Sequence, residues 1–268
     1  MRWLLFLLLT APVWAQPTLS LQGNARQGNP LFVRVKGATG EGKILWGKET
    51  YQTSPEGEAV IPVPVDLKAG PQPLVVELAD GTRLERTVTV QARTFPMQYL
   101  TIPADTLASY DNPQNKRDDQ QIIAALKKFD PVRHWLSNFT YPVDAPQTTG
   151  FGDRRLYNGW KKGWHKGLDL GAYEGDPVEA PAAGVVVHTA RGIVNGNTVV
   201  LSHGVGLGTV YLHLNSIQVK VGQQVEAGQV IGTVGGTGGF APHLHWEARS
   251  QGVPIDPKTL FALPADWR

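Results

Sequence analysis

His243 and His245 stand two residues apart in Ala241-Pro242-His243-Leu244-His245-Trp246-Glu247, a stretch that alternates as a strand does. Successive strand side chains point to opposite faces, so the two imidazoles share one face. Upstream, the chain reads His165-Lys166-Gly167-Leu168-Asp169. In a fully extended strand the Cα atoms of His165 and Asp169 would lie ~13 Å apart, at roughly 3.3 Å per residue. That is too far for bonds of ~2 Å to one cation from both side chains. If both hold the same ion, the chain bends between them, and Gly167 is the residue that permits the bend. With His245 as the third donor, the set is two imidazoles and a carboxylate with one position left for water. That composition is catalytic rather than structural. Non-haem iron uses a similar triad, so donor type alone leaves the metal open. His213 and His243 would then stand beside the water, whose pKa a catalytic zinc lowers to about 7. A neutral imidazole there accepts a proton; an imidazolium donates to a leaving amine or steadies an oxyanion. His134, His188 and His203 receive no such role. His203, in Leu201-Ser202-His203-Gly204, is expected at a turn with a structural hydrogen bond.

These residues fall within a longer series of motifs. Phe151-Gly152-Asp153-Arg154-Arg155, His165-x-x-x-Asp169, Gly175-Asp176-Pro177-Val178-x-Ala180, Tyr211-Leu212-His213-Leu214, Gly235-Gly236-Thr237-Gly238 and His243-Leu244-His245 follow in that order. The span from Thr148 to Leu260 thereby resembles the lysostaphin/LytM-type zinc endopeptidases. The resemblance implies that zinc is held by His165, Asp169 and His245, and that His213 and His243 are the two further active-site histidines. It implies a small antiparallel β-sheet core with a groove walled by loops. It also implies a partner, bacterial peptidoglycan, cut at peptide bonds of its stem peptides or cross-bridges. One departure is Phe240-Ala241-Pro242, where many relatives carry Gly before Pro-His-x-His. The stretch Leu156 to Trp164, with Tyr157, Trp160 and Trp164, has no clear counterpart; it either walls the groove or packs as a loop. The competing reading is a catalytically inactive peptidoglycan-binding or amidase-activating module. Retention of every implied ligand and both auxiliary histidines favours the enzyme.

The elements that must position these side chains are short strands. The chain has 268 residues, enough for two modest domains with real cores. Thirty Gly and twenty Pro favour strands and turns over helices. Residues 17–93 read as an immunoglobulin-like β-sandwich: Leu31, Val33 and Val35 alternate with polar neighbours, Pro62 and Pro64 suit an edge strand, and Asp80-Gly81 joins a hairpin. Residues 94–140 form a linker with a short helix over Gln120 to Phe129, where Ile122, Ile123, Leu126 and Phe129 have helical spacing; Asp118 or Asp119 is expected near its start. Residues 141–263 form the peptidase-like domain, with strands expected at 185–187, 198–201, 209–212, 219–221 and 230–234. The fold class is therefore mostly β, antiparallel, in two parts.

Composition narrows the setting. Formal net charge is +2, too mild to argue for nucleic acid. There are no cysteines, so disulfides, thiol catalysis and thiolate ligands are excluded. Residues 1–15 read as a signal peptide, with Arg2, an apolar run from Trp3 to Leu9, and Val13-Trp14-Ala15 as cleavage site. That run is too short for a membrane span, which needs roughly 20 apolar residues, and no later stretch qualifies. The mature protein is expected to be exported to the periplasm, cell envelope or medium.

Overall fold

Alternation of apolar and polar residues builds the N-terminal part. In the computed structural model, which describes residues 16–268, this part contains β1 (Thr18–Gln22), β2 (Pro30–Lys36), β3 (Gly42–Trp46), β4 (Glu49–Gln52), β5 (Glu58–Pro62), β6 (Gly70–Leu78) and β7 (Arg83–Val90). The expected signal peptide, 1–15, lies outside the described residues. Two antiparallel sheets, ordered β1-β2-β5 and β4-β3-β6-β7, enclose one core that includes Val33, Val35, Ile44, Trp46, Ile61, Leu74 and Val76. Strand β5 is an edge, as Pro62 at its end suits, and β6 and β7 form the hairpin read from Asp80-Gly81.

The connecting stretch is more structured than its composition suggests. It holds β8 (Met97–Leu100), α1 (Ala104–Ser109) and α2 (Pro113–Lys127). Helix α2 begins seven residues before the start read from apolar spacing. Its signal is polar: the Asn112 side chain caps Gln114 N, and Pro113 occupies the first turn. Asp118 and Asp119 consequently lie mid-helix rather than at its N-terminus. Ile122 and Leu126 pack on Val200, Val210 and Leu212, which fixes the helix on the large sheet described next.

The C-terminal part holds β9 (Gln147–Thr149), β10 (Arg154–Tyr157), β11 (Lys161–Trp164), β12 (Leu168–Leu170), β13 (Pro177–Glu179), β14 (Gly184–Arg191), β15 (Asn197–Gly204) and β16 (Leu207–Leu214). These are followed by β17 (Ser216–Ile217), β18 (Gln224–Val225), β19 (Val230–Thr233), β20 (Leu244–Ser250) and β21 (Val253–Ile255). An eight-stranded antiparallel sheet runs β18-β14-β15-β16-β20-β12-β9, with β21 on β20. Its one face, with Val199, Leu201, Tyr211, Leu244, Trp246, Leu168 and Leu170, covers the main core. Its other face carries α2 and the groove. The expected strand at 219–221 is instead a turn: Gln223 N donates to Lys220 O, and Val221 is exposed while Val219 is buried. Strand β8 pairs in parallel with β10, and β10 pairs antiparallel with β11, making a small flap sheet beside the groove.

The two parts share a third core. Phe32 and Val60 from the N-terminal sheets meet Trp135, Phe139, Leu207, Ala248 and Trp267. Trp267 stacks on Trp135 at 6.3 Å, with the Arg34 guanidinium 5.0 Å from its ring centroid. Among the described residues no helix is long and apolar enough to cross a membrane.

Candidate active site

Register places the metal-type donors. On the groove face, Asp169 of β12 stands directly opposite His245 of β20, which in turn stands opposite Leu212 of β16. Cross-strand neighbours on one face are close enough for side chains to meet. His165 reaches them from the loop between β11 and β12, where the backbone bends at Gly167. A Cβ at Gly167 would lie 2.2 Å from Trp246 O, so glycine also lets this loop approach the β20 backbone. The outcome is a triangle: His165 Nε2 is 2.9 Å from Asp169 Oδ1 and 3.0 Å from His245 Nδ1, and His245 Nδ1 is 2.8 Å from Asp169 Oδ1.

The outer hydrogen bonds set which lone pairs face inward. His165 Nδ1 lies 2.7 Å from Gly150 O, a pure acceptor, so Nδ1 carries the proton and Nε2 is left as a donor of electrons. His245 Nε2 donates to Glu247 Oε1 at 3.1 Å, and Glu247 Oε2 accepts from Arg249 Nε at 2.6 Å. Glu247 and Arg249 are 2% and 3% exposed, so this pair is held out of water. Burial opposes the Glu247 charge, but Arg249 beside it keeps its carboxyl well below the usual range. Burial likewise opposes the Asp169 charge, and the two imidazoles beside it, His165 and His245, outweigh that and keep its carboxyl well below the usual range. For His245, burial favours the neutral ring, yet Asp169 and Glu247 push its pKa up to about 9. Two carboxylates on either side of one ring favour positive charge at this place.

The donor set fits zinc. Tetrahedral bonds of about 2.0–2.1 Å set neighbouring donor atoms roughly 3.3 Å apart, a few tenths beyond the spacings found here. A carboxylate–histidine pair behind the ligand, as in Glu247–His245, is the usual outer support of such an ion.

His213 and His243 complete the cluster. His243 Nε2 is 3.7 Å from Asp169 Oδ1, and its Nδ1 donates to Ala241 O at 2.8 Å. Simple alternation would put His213 on the core face, opposite to Leu212. The backbone at His213 is left-handed, φ +64°, and register shifts between β15 and β16 at this point. This turns the ring to the groove, 4.9 Å from His243 and 6.0 Å from His245 between centroids. A non-glycine residue held at positive φ is uncommon and concentrates at functional sites. His213 Nδ1 donates to Thr237 O at 3.0 Å, leaving Nε2 unprotonated, and burial pushes its pKa down to about 3.

All five residues predicted from sequence thus meet in one cavity of about 510 Å³. His134, His188 and His203 lie elsewhere; His203 bonds Ala183 O and Thr209 Oγ1. Glu247, Arg249 and the Gly150 carbonyl had no role in the sequence reading. Glu247 was within reach of it, because it continues the two-residue spacing of His243 and His245. The stretch 156–164 does both of the things expected of it. It is the β10–β11 hairpin and walls the cavity, while Trp164 packs edge-on against Phe151 at 5.7 Å and Tyr157 against Tyr110 at 5.6 Å. Trp160 at its tip is exposed.

Residues 163–257, which contain all five, match the model of Peptidase family M23. The chain carries an M23 peptidase domain. It is 44% identical over 101 residues to the DD-carboxypeptidase/endopeptidase Mpg of Neisseria meningitidis, covering 37% of this chain and 23% of that protein. It is 42% identical over 120 residues to the peptidoglycan DD-endopeptidase ShyA of Vibrio cholerae, covering 43% of this chain and 28% of that protein. The chain therefore spans about a quarter of the length of these relatives. A crystal structure from Pseudomonas aeruginosa, described as an M23 peptidase, superposes with a TM-score of 0.68 at 29% identity, over 89% of this chain and 96% of that one. That likeness extends well beyond the M23 domain into the N-terminal sheets.

Proposed function

We propose that this protein is a zinc-dependent endopeptidase that hydrolyses peptide cross-links or stem peptides of bacterial peptidoglycan outside the cytoplasm. The observation that carries the reading is the convergence of one ligand atom each from His165, Asp169 and His245, all within 4.8 Å of one another, beside the rings of His213 and His243. His165, Asp169 and His245 would hold the metal, which would supply Lewis-acid polarisation and lower the pKa of a water at the open position. His213, kept neutral by burial and by its bond to Thr237 O, takes a proton through Nε2. His243, at the more open side, directs Nε2 toward the Asp169 carboxylate and steadies the charge that develops on the substrate carbonyl oxygen. Arg155, whose Nη2 is 3.5 Å from Asp169 Oδ2, orients that carboxylate. The hairpin and α2 form the walls that position an extended peptide.

The test is digestion of purified peptidoglycan by the zinc-loaded protein, with mass spectrometry of the soluble products. Expected are fragments with new peptide termini, lost with chelator and restored by zinc. New reducing sugar ends would mean glycoside cleavage instead. Wall binding without release would mean an inactive binding module.

A further inference from the structure

Helix α2 turns a carboxylate into the groove. Asp119, in the middle of that helix, places Oδ2 3.2 Å from Lys166 Nζ and Oδ1 3.0 Å from Asn195 Nδ2. Each carboxylate oxygen thus takes one donor. Both donors belong to the M23 domain and both adjoin the cluster: Lys166 follows His165, and the Asn195 carbonyl accepts the backbone N–H of His213 at 3.0 Å. A second acid of the same stretch, Asp111, pairs with Lys161 at 2.5 Å.

Without these two acids, the lining of the cavity is cationic. Counting the β10–β11 hairpin together with residues 163–257, the remaining lining contributes Arg155, Lys161, Lys162, Lys166 and Arg249 against Asp169 and Glu247. Such a lining attracts anions. The pair that fills it is weakly held. The Lys166 and Asp119 side chains are 37% and 31% exposed, a degree at which an ion pair adds little to stability. An incoming carboxylate would therefore exchange with Asp119 at small cost, and the two donors would keep their partners.

We propose that Lys166 and Asn195 form a carboxylate-recognition subsite, and that Asp119 occupies it here in place of a carboxylate of the substrate peptide. The substrate class is then an anionic peptide, read at a free carboxyl group next to the bond that is cut. This rests on the peptide-hydrolase reading above and adds to it the group that selects the peptide. Lys166 and Asn195 are specificity residues in this scheme, and the linker acid is their internal competitor.

The experiment measures binding and turnover separately on the full chain loaded with zinc. The probe is dye-labelled L-Ala-D-γ-Glu-L-Lys-D-Ala-D-Ala in three forms: free acid, C-terminal amide, and amide at the remaining D-Glu carboxyl. Binding is followed by fluorescence polarisation and cleavage by chromatography. One of the two amides should bind about tenfold more weakly than the free acid, the worth of one charge-assisted hydrogen bond, and which amide does so identifies the carboxylate. Lys166→Met should weaken the free acid about tenfold and leave that amide unchanged, so the preference disappears. Asp119→Asn should tighten the free acid severalfold by removing the competitor. Equal binding of all three forms to the wild-type protein overturns the subsite, as does an equal loss for acid and amide in Lys166→Met. Acid-selective binding without cleavage would keep the subsite and sink the hydrolase reading. Cleavage with no preference among the three would do the reverse.

Discussion

Asp169 stands directly opposite His245 across β12 and β20, with Oδ1 2.8 Å from Nδ1. The candidate metal centre is therefore a product of sheet register. A slip of one residue in either strand would send one of the two to the core face, where Trp246 and Leu168 now lie. Both strands are locked against that slip by their large apolar residues, so the same packing that stabilises the domain aligns the donors.

The first prediction concerns the ion itself. Wild-type protein should bind about one zinc per chain, and His245→Ala or Asp169→Ala should reduce that to background, since the remaining donors leave a buried site short of a ligand. Metal analysis of dialysed protein reads the stoichiometry directly. Full zinc retention in both variants would show that the ion, if held, sits elsewhere.

The second prediction separates the ligands from what stands behind them. Glu247→Gln keeps the size of the side chain but removes the charge that bonds His245 Nε2 and Arg249. Zinc affinity should fall roughly 10–100-fold, the usual cost of losing such an outer partner. Competition with a chelator of known affinity measures it, and an unchanged affinity would mean that Glu247 only neutralises Arg249.

The third prediction concerns the histidines that do not hold metal. His213→Ala should keep zinc and lose roughly 10²–10⁴-fold in kcat, the range for a lost general base. A parallel zinc measurement distinguishes that result from a collapsed site. If kcat survives while KM rises, His213 contributes to substrate binding and His243 becomes the candidate base.

The fourth prediction concerns the bend between the first two ligands. Gly167→Ala would bring a Cβ to 2.2 Å from Trp246 O, a backbone atom of a central strand that cannot move aside. The variant should be destabilised by on the order of 1–3 kcal/mol and should bind zinc more weakly, because His165 is pushed away from β20. Thermal melts with and without zinc check both effects. Wild-type stability and affinity would show that the loop relaxes freely.

Much of this site was legible in the sequence because its chemistry is written in residue types that have few other uses at that spacing. His243 and His245 declare their shared face through strand periodicity, and His165 and Asp169 declare a bend through Gly167. The register that brings these two pairs together was not legible, since it depends on which of many short strands pair. The rotation of His213 was hidden for a similar reason: alternation assigns it to the core face, and a left-handed backbone overrides that assignment. The linker misled for a different reason. Apolar spacing marks only the half of α2 that packs on the sheet, while Asn112, Pro113 and the acids Asp118 and Asp119 form a polar half held by a cap, by Gln114 of the same helix and by residues outside it. Asp118 bonds Ile193 N and Gln114, and Asp119 bonds Lys166 and Asn195, so neither caps the helix.

The last prediction uses a histidine outside the site. His203 is fully buried; its Nδ1 donates to Ala183 O at 2.8 Å, so its Nε2 must accept from Thr209 Oγ1, and Tyr211 OH then donates to Thr209. This chain of bonds suits only the neutral ring, and burial pushes its pKa down to about 4 from an ordinary value near 6.5. The sign follows: between those values an unfolded chain takes up a proton that the folded one refuses. The stabilising contribution is complete above about pH 6.5 and drains away as pH falls toward 4, by on the order of 3 kcal/mol in total. Other titrating groups, the metal ligands included, change stability over the same range, so wild type should be compared with His203→Gln by denaturant unfolding at each pH. The stability advantage of wild type over the variant should shrink steadily from pH 6.5 to pH 4.5. An advantage that stays constant would mean that His203 titrates alike in both states and that its network tolerates the charged ring.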